Sequence, residues 1–560
     1  MNQSNTYDAI VIGSGISGGW AAKECAEKGM KTLVLERGRE VKHGDYPTSS
    51  KEPWDMPNLG NLSVEDRKKH HIQSRTGFIT EYNKHFFVDD TDHPYEEQDR
   101  FDWIRGYHTG GRSITWGKQC YRWSDLDFEA NAKEGIGVDW PIRYKDIESW
   151  YSYVERFAGI SGEKLGLPHL PDGEFLPPME LNCLEEHVRD KIRSKWDNRY
   201  MTIGRIAHTT VKHNGRGPCQ YRNRCKRGCP YGAYFSSVST TIPAAMQTGN
   251  MTMVSNAIVH SIIYDEKLGK ATGVRVIDSE TNVATEYFAK VIFSCASTLG
   301  STQILLNSTS GRFPNGLGND SDQLGRNLMD HHYGVGARGD FEGFEDKFYN
   351  GRRPNGIYIP RFRNINKSTQ RNDYLRGFGF QGGASRKDWK QERNGPEFGV
   401  EFKNSLLHPG KWQMSLSGFG ECLPYQDNRV TLNSDKQDKW GIPLLSIKGS
   451  FKENELNMRK DIKESAEEML DAAGFKNVEG RNSIQPLGRC IHEMGTARMG
   501  HDPKTSVLNK HNQVHAVPNV YVTDGACMTS SACQNPSITY MALTARAVDH
   551  AASELKKRNL

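Results

Sequence analysis

A glycine-rich turn between two apolar segments near the start of the chain limits the fold more than any other feature. The segment YDAIVIGSGISGGWAAKECAEKGMKTLVLERG, residues 7–38, begins with a short buried strand over residues 8–12 and turns through GSGISG into a helix with a small-residue face. The second apolar strand ends at Glu36. This order predicts a β-α-β unit with a right-handed crossover, and therefore a Rossmann-like parallel sheet.

The three glycines of the turn predict a dinucleotide site. Gly13 permits the tight turn, Gly15 lets the backbone approach a pyrophosphate, and Gly18 allows close contact between helix and strand. The helix N-terminus offers free N–H groups and partial positive charge to phosphates. Glu36 accepts hydrogen bonds from ribose hydroxyls and repels a 2′-phosphate, which disfavours NADP. The pattern alone does not choose between NAD and FAD.

Length and charge narrow the class of protein. A chain of 560 residues is too long for one small core, so more than one packed region is expected. The 73 basic and 68 acidic residues leave a net charge of +5, which does not indicate a nucleic-acid partner. We expect no membrane span, because no apolar run approaches about 18 residues, and no signal peptide of its own. The compartment, cytoplasm or periplasm, stays open.

Five longer segments resemble the glucose–methanol–choline (GMC) oxidoreductases, in matching chain order. They are RGYHTGGRSITWG (105–117), DWPIRYKDIESWYSYVERFAGISG (139–162), DQLGRNLMDHH (322–332), RCIHEMGTARMGHDP (489–503) and NVYVTDGACMTSSACQNPSITYMALTARAVDHAASEL (519–555). The resemblance covers essentially the whole chain. It implies oxidation of an alcohol carbon by hydride transfer to FAD.

The resemblance also implies a fold: α/β with an antiparallel substrate domain, the two-domain architecture shared with p-hydroxybenzoate hydroxylase. We expect a discontinuous Rossmann-like FAD-binding domain over residues 1–335 and 480–560, with a cysteine-bearing excursion at about 205–235. Residues 336–479 are expected to form the substrate domain. Short alternating, aromatic-rich runs in this block, such as GKWQMSLSGFG, independently favour an antiparallel sheet.

Within that family the catalytic pair falls on His492 and Asn535. A neutral histidine suits removal of the hydroxyl proton, and an amide holds the same hydroxyl without competing for the proton. Pro536 opens the terminal helix, whose N-terminus would stabilise negative charge on the flavin. Asp524 and Gly525 are expected along the ribityl-phosphate part of FAD. His331 and His332 fit a family position that is not the base and are interpreted as structural.

The loop Gly110-Gly111-Arg112-Ser113-Ile114-Thr115-Trp116 matches the family loop at the flavin ring. Gly110, Gly111, Ser113 and Thr115 are therefore predicted to contact FAD. Some family members carry a covalently attached histidine where this chain has Thr115, so we expect non-covalent FAD. His108 is a less favoured attachment site.

Cys219, Cys225 and Cys229 are spaced C-x5-C-x3-C among arginines and lysines, and the other eight cysteines are scattered. The triplet resembles that of bacterial FAD-dependent sugar dehydrogenases which hold a [3Fe–4S] cluster. The surrounding cations are expected to lower the thiol pKa values. Zinc held by the three cysteines and His213 is an alternative, and free thiols are another.

A cluster beside the flavin implies a dehydrogenase whose electrons leave to a redox partner such as a cytochrome c, docked on the basic loop. The nearest resemblance is to bacterial glucoside 3-dehydrogenases, which oxidise C3 of a pyranoside, and it implies a small export-carrier subunit as well. Gln413 and Glu421 are candidate sugar contacts. A GMC oxidase, an aldonate or polyol dehydrogenase, and a non-redox flavin scaffold or lyase remain alternatives.

Overall fold

The computed structural model describes residues 5–349, 353–386, 398–405, 407 and 409–560. Its first sheet has a parallel core of five strands, in the spatial order Val517–Val522, Ala284–Ser294, Thr6–Ile12, Thr32–Leu35 and Met251–Val254. Residues 9–12 and 33–35 are buried, as expected for parallel strands covered on both faces. Gln513–Val514 extends one edge, and the hairpin of Ala257–Asp265 and Lys270–Asp278 pairs antiparallel with the long strand Ala284–Ser294.

The helix Ile16–Glu27 packs against the long C-terminal helix Ser537–Lys556 through small side chains, including Ala22, Ala547 and Ala551. Small residues let the two helix backbones approach closely, which holds the C-terminal segment beside the glycine turn. The other helices are Val64–Lys69, Asp125–Phe128, Ala130–Glu134, Tyr144–Ala158, Cys183–Lys195, Thr241–Gln247, Thr298–Asn307, Val400–Ser405 and Glu453–Ala472. Within the described ranges, every helix is too short or too polar to cross a bilayer.

The second sheet is antiparallel. Its strands follow the spatial order Lys476–Asn482, His332–Phe341, Trp412–Gly420, Phe378–Arg386, Ile357–Ile359 and Thr202–Ile203. Buried and half-buried residues alternate along Trp412–Gly420, because one face packs against the helix Glu453–Ala472 and the other faces the cavity side. The predicted antiparallel sheet is present, and its edge strands include residues outside 336–479. The predicted substrate domain, residues 336–479, also includes 350–352, 387–397, 406 and 408, which lie outside the described residues.

Two smaller sheets contain the remaining strands. Arg429–Gln437, Pro443–Lys448 and Glu96–Glu97 form one, and Ile160–Ser161 pairs with Phe175–Leu176 in the other. The first of these packs in a core with Phe101, Trp103 and Leu487. Leu487 lies five residues before His492 in the same loop, so this small core packs against the segment that carries that histidine.

Candidate active site

One cavity of about 440 Å³ is lined by residues of both the parallel sheet and the antiparallel sheet. Its lining includes Gly13, Gly15 and Glu36 as well as His492 and Asn535. Residues that the sequence analysis placed in one site, although they are hundreds of positions apart, therefore share one cavity. The other predicted lining residues present in it are Gly111, Ser113, Thr115, Asp524, Gly525 and Pro536.

The glycine turn forms a cradle that side chains would fill. Gly13 has a φ of +91°, and a Cβ there would lie 2.6 Å from the carbonyl oxygen of Cys295. A Cβ at Gly18 would overlap the carbonyl oxygen of Gly13. At Gly15, by contrast, a Cβ would meet no atom within 4 Å, and this residue lines the cavity at the N-terminus of the helix Ile16–Glu27. Backbone atoms thus fill the side of the turn formed by Gly13 and Gly18, whereas the side at Gly15 faces the cavity and has space for a pyrophosphate.

The carboxylate of Glu36 is held at the end of its strand. It accepts hydrogen bonds from the backbone N–H of Ser14 at 3.1 Å, from the Ser14 hydroxyl at 2.5 Å and from the N–H of Gly38 at 3.0 Å. Burial raises the pKa of Glu36, while these hydrogen bonds oppose the rise. A carboxylate oriented in this way at the end of the second strand fits the ribose position predicted from the sequence.

We expect Gly18→Ala to impair FAD binding, because its methyl group would overlap the carbonyl of Gly13 and displace the cradle. FAD content of the purified protein should fall well below one per chain, and Tm should fall by at least about 2 °C. Gly217→Ala is the control, since a Cβ there would lie 3.8 Å from its nearest neighbour. Full FAD content in Gly18→Ala would contradict the assigned cradle.

The loop beginning at Gly110 is tied to the glycine turn. The Gly110 N–H donates to the hydroxyl of Ser14 at 2.9 Å, and the Ser113 hydroxyl donates to the carbonyl of Gly110 at 2.5 Å. Gly110 has a φ of +81°, a conformation that favours glycine. His108 is buried, with Nδ1 2.9 Å from the Thr109 carbonyl, and does not line the cavity. Thr115 lines the cavity instead.

A hydrogen-bond chain determines which nitrogen of His492 is free to accept a proton. His331 Nε2 lies 2.8 Å from the carbonyl of Ala532, so this nitrogen carries the hydrogen. The neutral ring of His331 then accepts at Nδ1, which lies 2.9 Å from Nδ1 of His492. His492 must therefore donate from Nδ1 and carry its lone pair on Nε2. That nitrogen lies 3.2 Å from Nδ2 of Asn535.

The amide of Asn535 is oriented by a further hydrogen bond. Nε2 of Gln381 donates to its Oδ1 at 2.6 Å, so the N–H groups of Asn535 face the imidazole. Asn535 precedes Pro536 and the terminal helix Ser537–Lys556, as the sequence predicted. Gln381 belongs to the antiparallel sheet, so a residue of that sheet orients one member of the candidate catalytic pair.

Both imidazoles are held neutral. Burial, with repulsion from His331 and Arg112, lowers the pKa of His492 well below its usual value. Burial lowers the pKa of His331 to about 4. Sequence reasoning did not anticipate the contact between these rings, because 161 positions separate them and no local pattern links them. The neighbouring His332 is buried elsewhere, with Nε2 3.3 Å from the sulfur of Met458.

Asp330 fixes the backbone around the pair. Its carboxyl oxygens accept from the N–H groups of His331 at 2.9 Å, His492 at 3.0 Å and Cys490 at 3.0 Å. Burial and repulsion from Glu493 raise the pKa of Asp330 to about 8. Asp330 thereby fixes the distance between the segment that carries His331 and the segment that carries His492, which are far apart in the sequence.

The substrate-side wall differs from the one predicted. Gln413 and Glu421 do not line the cavity; Gln381, Phe419 and Tyr333 do. Gln413 donates to Asp340, and it lies six residues, or about 20 Å, along the strand from Phe419.

Glu421 lies beyond the end of the same strand and is 1% exposed. It lies between two arginines, 3.3 Å from Arg376 and 3.6 Å from Arg361. A buried carboxylate needs such partners, and a residue paired in this way is not available to a sugar.

The three cysteines of the triplet line one small cavity together with His208 and Tyr234. All three are half-buried, and none of them forms a disulfide. The imidazole beside them is that of His208, whose Nε2 lies 3.7 Å from Sγ of Cys225.

Two predictions about the surroundings of the triplet are corrected. His213, proposed as the fourth ligand of a zinc site, has its Nε2 2.8 Å from the carbonyl of Arg156 instead. Burial raises the pKa of Cys219 to about 11, and it raises the pKa of Cys225 although the charges of Lys118 and Arg222 lower it.

The arginines of the loop bind the segment 49–52 across from it. Arg222 donates to the carbonyl of Ser49, Arg224 pairs with Glu52, and Arg227 donates to the carbonyl of Lys51 at 2.8 Å. Their charge holds the cysteine loop against that segment.

The cysteine loop contacts the loop predicted to lie at the flavin ring. The hydroxyl of Tyr234 lies 2.6 Å from the carbonyl of Ile114 and 3.2 Å from that of Cys225. Nζ of Lys118 lies 3.4 Å from the same Cys225 carbonyl, and Lys118 lines the large cavity. One tyrosine and one lysine therefore bridge the two loops.

Profiles of the GMC oxidoreductase family match residues 7–333 and 424–544, which together make up most of the chain. The chain belongs to the GMC oxidoreductases. The predicted family and fold class are thereby confirmed, and membership supports FAD as the cofactor and an alcohol or sugar CH–OH group as the site of oxidation.

Known proteins resemble this GMC oxidoreductase along its whole length. A 2-methyl-1,2-propanediol dehydrogenase of Mycolicibacterium austroafricanum is 26% identical, over 97% of this chain and 94% of the relative. The fructose dehydrogenase large subunit of Gluconobacter japonicus is 24% identical, over 99% of both chains. A formate oxidase variant of Aspergillus oryzae has the same fold, with a TM-score of 0.62 at 14% identity over 100% of both chains.

Proposed function

We propose that this GMC oxidoreductase is a sugar dehydrogenase that oxidises a secondary hydroxyl, C3 of a pyranoside, and sends the electrons through an iron–sulfur cluster to a partner protein. The observation that carries the proposal is the contact between the cysteine loop and the loop at the flavin position, made by Tyr234 and Lys118. An iron–sulfur cluster held by the three cysteines would lie beside the loop at the flavin position, where it could take electrons from the site of oxidation.

The residues of the cavity account for the proton. Nε2 of His492 takes the proton of the substrate hydroxyl, and Nδ2 of Asn535 donates a hydrogen bond to the same oxygen. When bound, FAD supplies the acceptor for the hydride, so the CH–OH group loses a proton from its oxygen and a hydride, which is one proton and two electrons, from its carbon. His331 keeps His492 in the tautomer that this role requires.

Cys219, Cys225 and Cys229 would hold the cluster, whose chemistry is the stepwise transfer of single electrons. A tetrahedral zinc site with Zn–S bonds of about 2.3 Å brings its sulfurs to within roughly 4 Å of one another. Among the described residues, the three ligand atoms within 4.8 Å of each other are those of His331, Cys490 and His492, not those of the triplet. The wider spacing favours a cluster of several irons over a single zinc.

A redox partner such as a cytochrome c follows from this route, with a small export-carrier subunit as a second partner. The name of the fructose dehydrogenase relative, a large subunit, supports assembly with other chains. The C3 position rests on the resemblance to bacterial glucoside 3-dehydrogenases. An oxidase or an aldonate or polyol dehydrogenase is the alternative within the fold, and oxygen consumption compared with dye reduction distinguishes the oxidase.

The test is an anaerobic visible spectrum of the purified holoprotein, with iron and zinc analysis, before and after addition of a panel of glycosides. We expect about three irons per chain, bleaching of the flavin by a pyranoside, and a 3-keto product. Absence of bleaching by every sugar would favour a non-redox scaffold or lyase, and zinc in place of iron would overturn the electron route.

The pH dependence of flavin reduction follows from the state of His492. Because its pKa lies well below the usual value, the unprotonated base persists as the pH falls, and the rate should stay level from pH 8 to about 6.5. Stopped-flow reduction by a saturating sugar measures this profile. An acidic limb with its midpoint above pH 7 would contradict the neutral base described here.

A further inference from the structure

An imidazole and a thiol lie beside Nδ1 of His492, the ring nitrogen other than the one that contacts Asn535. Nδ1 of His331 lies 2.9 Å from it, and Sγ of Cys490 lies 3.5 Å from it. One ligand atom of each of these three residues lies within 4.8 Å of the other two, and within the described ranges this is the group of three with that property. We call His331, Cys490 and His492 the His–Cys–His cluster.

The distances in the His–Cys–His cluster are close to those that one tetrahedral zinc ion requires. Zn–N bonds of about 2.0–2.1 Å and a Zn–S bond of about 2.3 Å place two nitrogen ligands about 3.3 Å apart, and a nitrogen and a sulfur about 3.6 Å apart. The nitrogen–sulfur distance is 3.5 Å, and the two Nδ1 atoms, 2.9 Å apart, need to separate by roughly 0.4 Å. A small movement of one imidazole therefore converts the hydrogen-bonded cluster into a set of three zinc ligands.

The backbone of the His–Cys–His cluster is held in place by one side chain. The carboxyl oxygens of Asp330 accept hydrogen bonds from the backbone N–H groups of all three cluster residues, at 2.9 to 3.0 Å. Nε2 of His331 also donates to the carbonyl of Ala532 at 2.8 Å. A metal-bound histidine usually donates its other N–H in this way. The ligand atoms are therefore oriented before any ion binds.

The large cavity gives access to the His–Cys–His cluster. Cys490 and His492 line that cavity, whereas His331 is buried and does not line it. An ion that enters the cavity can therefore reach one thiol and one imidazole first and bind the second imidazole from there. Three protein ligands beside a cavity is the pattern of zinc sites that keep a fourth position for water.

The charges around the cluster favour a cation. Asp330 and Glu493 both act electrostatically on Cys490, so two carboxyl groups lie near the thiol. Arg112 acts on His492 with the opposite sign, but its guanidinium pairs with Glu493 at 2.8 Å. A divalent ion with one thiolate ligand would carry a net charge that the carboxyl groups stabilise.

We propose that His331, Cys490 and His492 form a binding site for Zn²⁺, and that the bound ion inhibits sugar oxidation because it replaces the hydrogen on Nδ1 of the catalytic base. The inhibition rests on the proposed function, since it requires His492 to be the base, whereas the binding of zinc does not. Thiolate and imidazole ligands select Zn²⁺ over Mg²⁺ and Ca²⁺, which prefer oxygen ligands.

Binding of zinc rearranges two protons. The thiol of Cys490 loses its proton to solvent and binds as the thiolate, and His331 binds through its Nδ1 lone pair with no change of protonation. Nδ1 of His492 must give up its hydrogen in order to bind, and the neutral imidazole then carries that hydrogen on Nε2. Nε2 is the nitrogen that takes the substrate proton, so the zinc-bound protein has no free base.

The two amide groups beside the base can adapt to the new tautomer. Nδ2 of Asn535 lies 3.2 Å from Nε2 of His492, and its Oδ1 accepts from Gln381 at 2.6 Å. Rotation of both amide groups by half a turn reverses each hydrogen bond, so that Oδ1 of Asn535 accepts from Nε2 of His492. The substrate hydroxyl then also loses the N–H donor of Asn535.

The first experiment adds Zn²⁺ to the purified holoprotein and follows anaerobic flavin reduction by a saturating sugar. We expect the rate to fall at least about 100-fold at saturating zinc, the loss that removal of a general base causes, while the visible spectrum shows that FAD stays bound. EDTA should restore the rate, and Mg²⁺ at the same concentration should leave it unchanged. Zinc that leaves flavin reduction at its original rate would overturn the proposed inhibition.

Cys490→Ala tests the site itself. Equilibrium dialysis should show that the Kd of one zinc site per chain rises at least about 100-fold, because loss of a direct ligand should cost more than loss of an outer partner, which costs about 10–100-fold. Inhibition should weaken by the same factor, relative to the zinc-free rate of each variant. Cys25→Ala is the matched control, since Cys25 is a buried cysteine that does not line the cavity. Cys490→Ser, closer in size to the original, repeats the test if Cys490→Ala lacks FAD.

Cys225→Ser separates the proposed site from the cysteine triplet. This variant should still be inhibited by zinc, and loss of inhibition in Cys225→Ser but not in Cys490→Ala would overturn the His–Cys–His site. Equal zinc binding by the wild type and Cys490→Ala would contradict the site whatever the activity. If no sugar reduces the flavin in the absence of zinc, the proposed function fails, and the dialysis comparison alone decides whether the zinc site exists.

Discussion

His492→Ala should lower the rate of flavin reduction by a sugar at least about 100-fold while FAD remains bound. Removal of a positioned general base costs about 10²–10⁴-fold, and the structure leaves His492 Nε2 as the unprotonated nitrogen beside Asn535. Anaerobic stopped-flow bleaching of the flavin measures the rate, and the visible spectrum measures FAD content. Loss of FAD together with activity would indicate a structural defect rather than a lost base.

His501→Ala is the control for that experiment. His501 belongs to the same sequence motif, but its side chain is 65% exposed and lies 3.8 Å from Asp139. We expect this variant to reduce its flavin at the wild-type rate. Near-normal flavin reduction in His492→Ala would remove the imidazole from the reaction and with it the assignment of the whole cavity.

Cys225→Ser should slow delivery of electrons to an external acceptor protein while flavin reduction by sugar stays within about twofold of wild type. The thiol of Cys225 lies in the small cavity with the other two cysteines, and its backbone carbonyl is bound by Lys118 and Tyr234. A lost ligand should release iron. Iron content and the turnover of cytochrome c, at least about 10-fold slower, are the two readouts.

Cys183→Ser is the matched control, because Cys183 is also a half-buried cysteine without a disulfide but belongs to the helix Cys183–Lys195, outside the cavity of the triplet. It should keep both iron and electron delivery. Unchanged cytochrome reduction in Cys225→Ser would contradict the electron route. Unchanged iron content would contradict the assigned ligand.

Features coded within short segments were predictable from the sequence. The glycine turn, its strands and the terminal helix appear where the pattern placed them, because each depends on local backbone conformation and on apolar periodicity. The alternation along Trp412–Gly420 likewise predicted an antiparallel strand. The alternation did not predict which end of that strand reaches the cavity, and the choice of Gln413 as a candidate sugar contact was therefore wrong.

Contacts between distant segments required the structure. The charge of the loop arginines was visible in the sequence, but their partners at Ser49, Lys51 and Glu52 were not. The choice of His208 over His213 beside Cys225 depends on how the loop folds back on itself. Side-chain pairing of this kind has no period and no fixed spacing, so no pattern in one chain predicts it.

The sequence by itself determined a nucleotide-binding β-α-β unit, the family, and the identity of His492 and Asn535 as its catalytic candidates, because these depend on motifs within short stretches. Only the tertiary structure decided the proton state of His492. That state results from the hydrogen bond to the His331 ring, from the burial of both imidazoles, and from the backbone hydrogen bonds that Asp330 accepts. Solvation and hydrogen bonding are properties of a packed environment, and residues 161 positions apart acquire a common environment only when the chain folds.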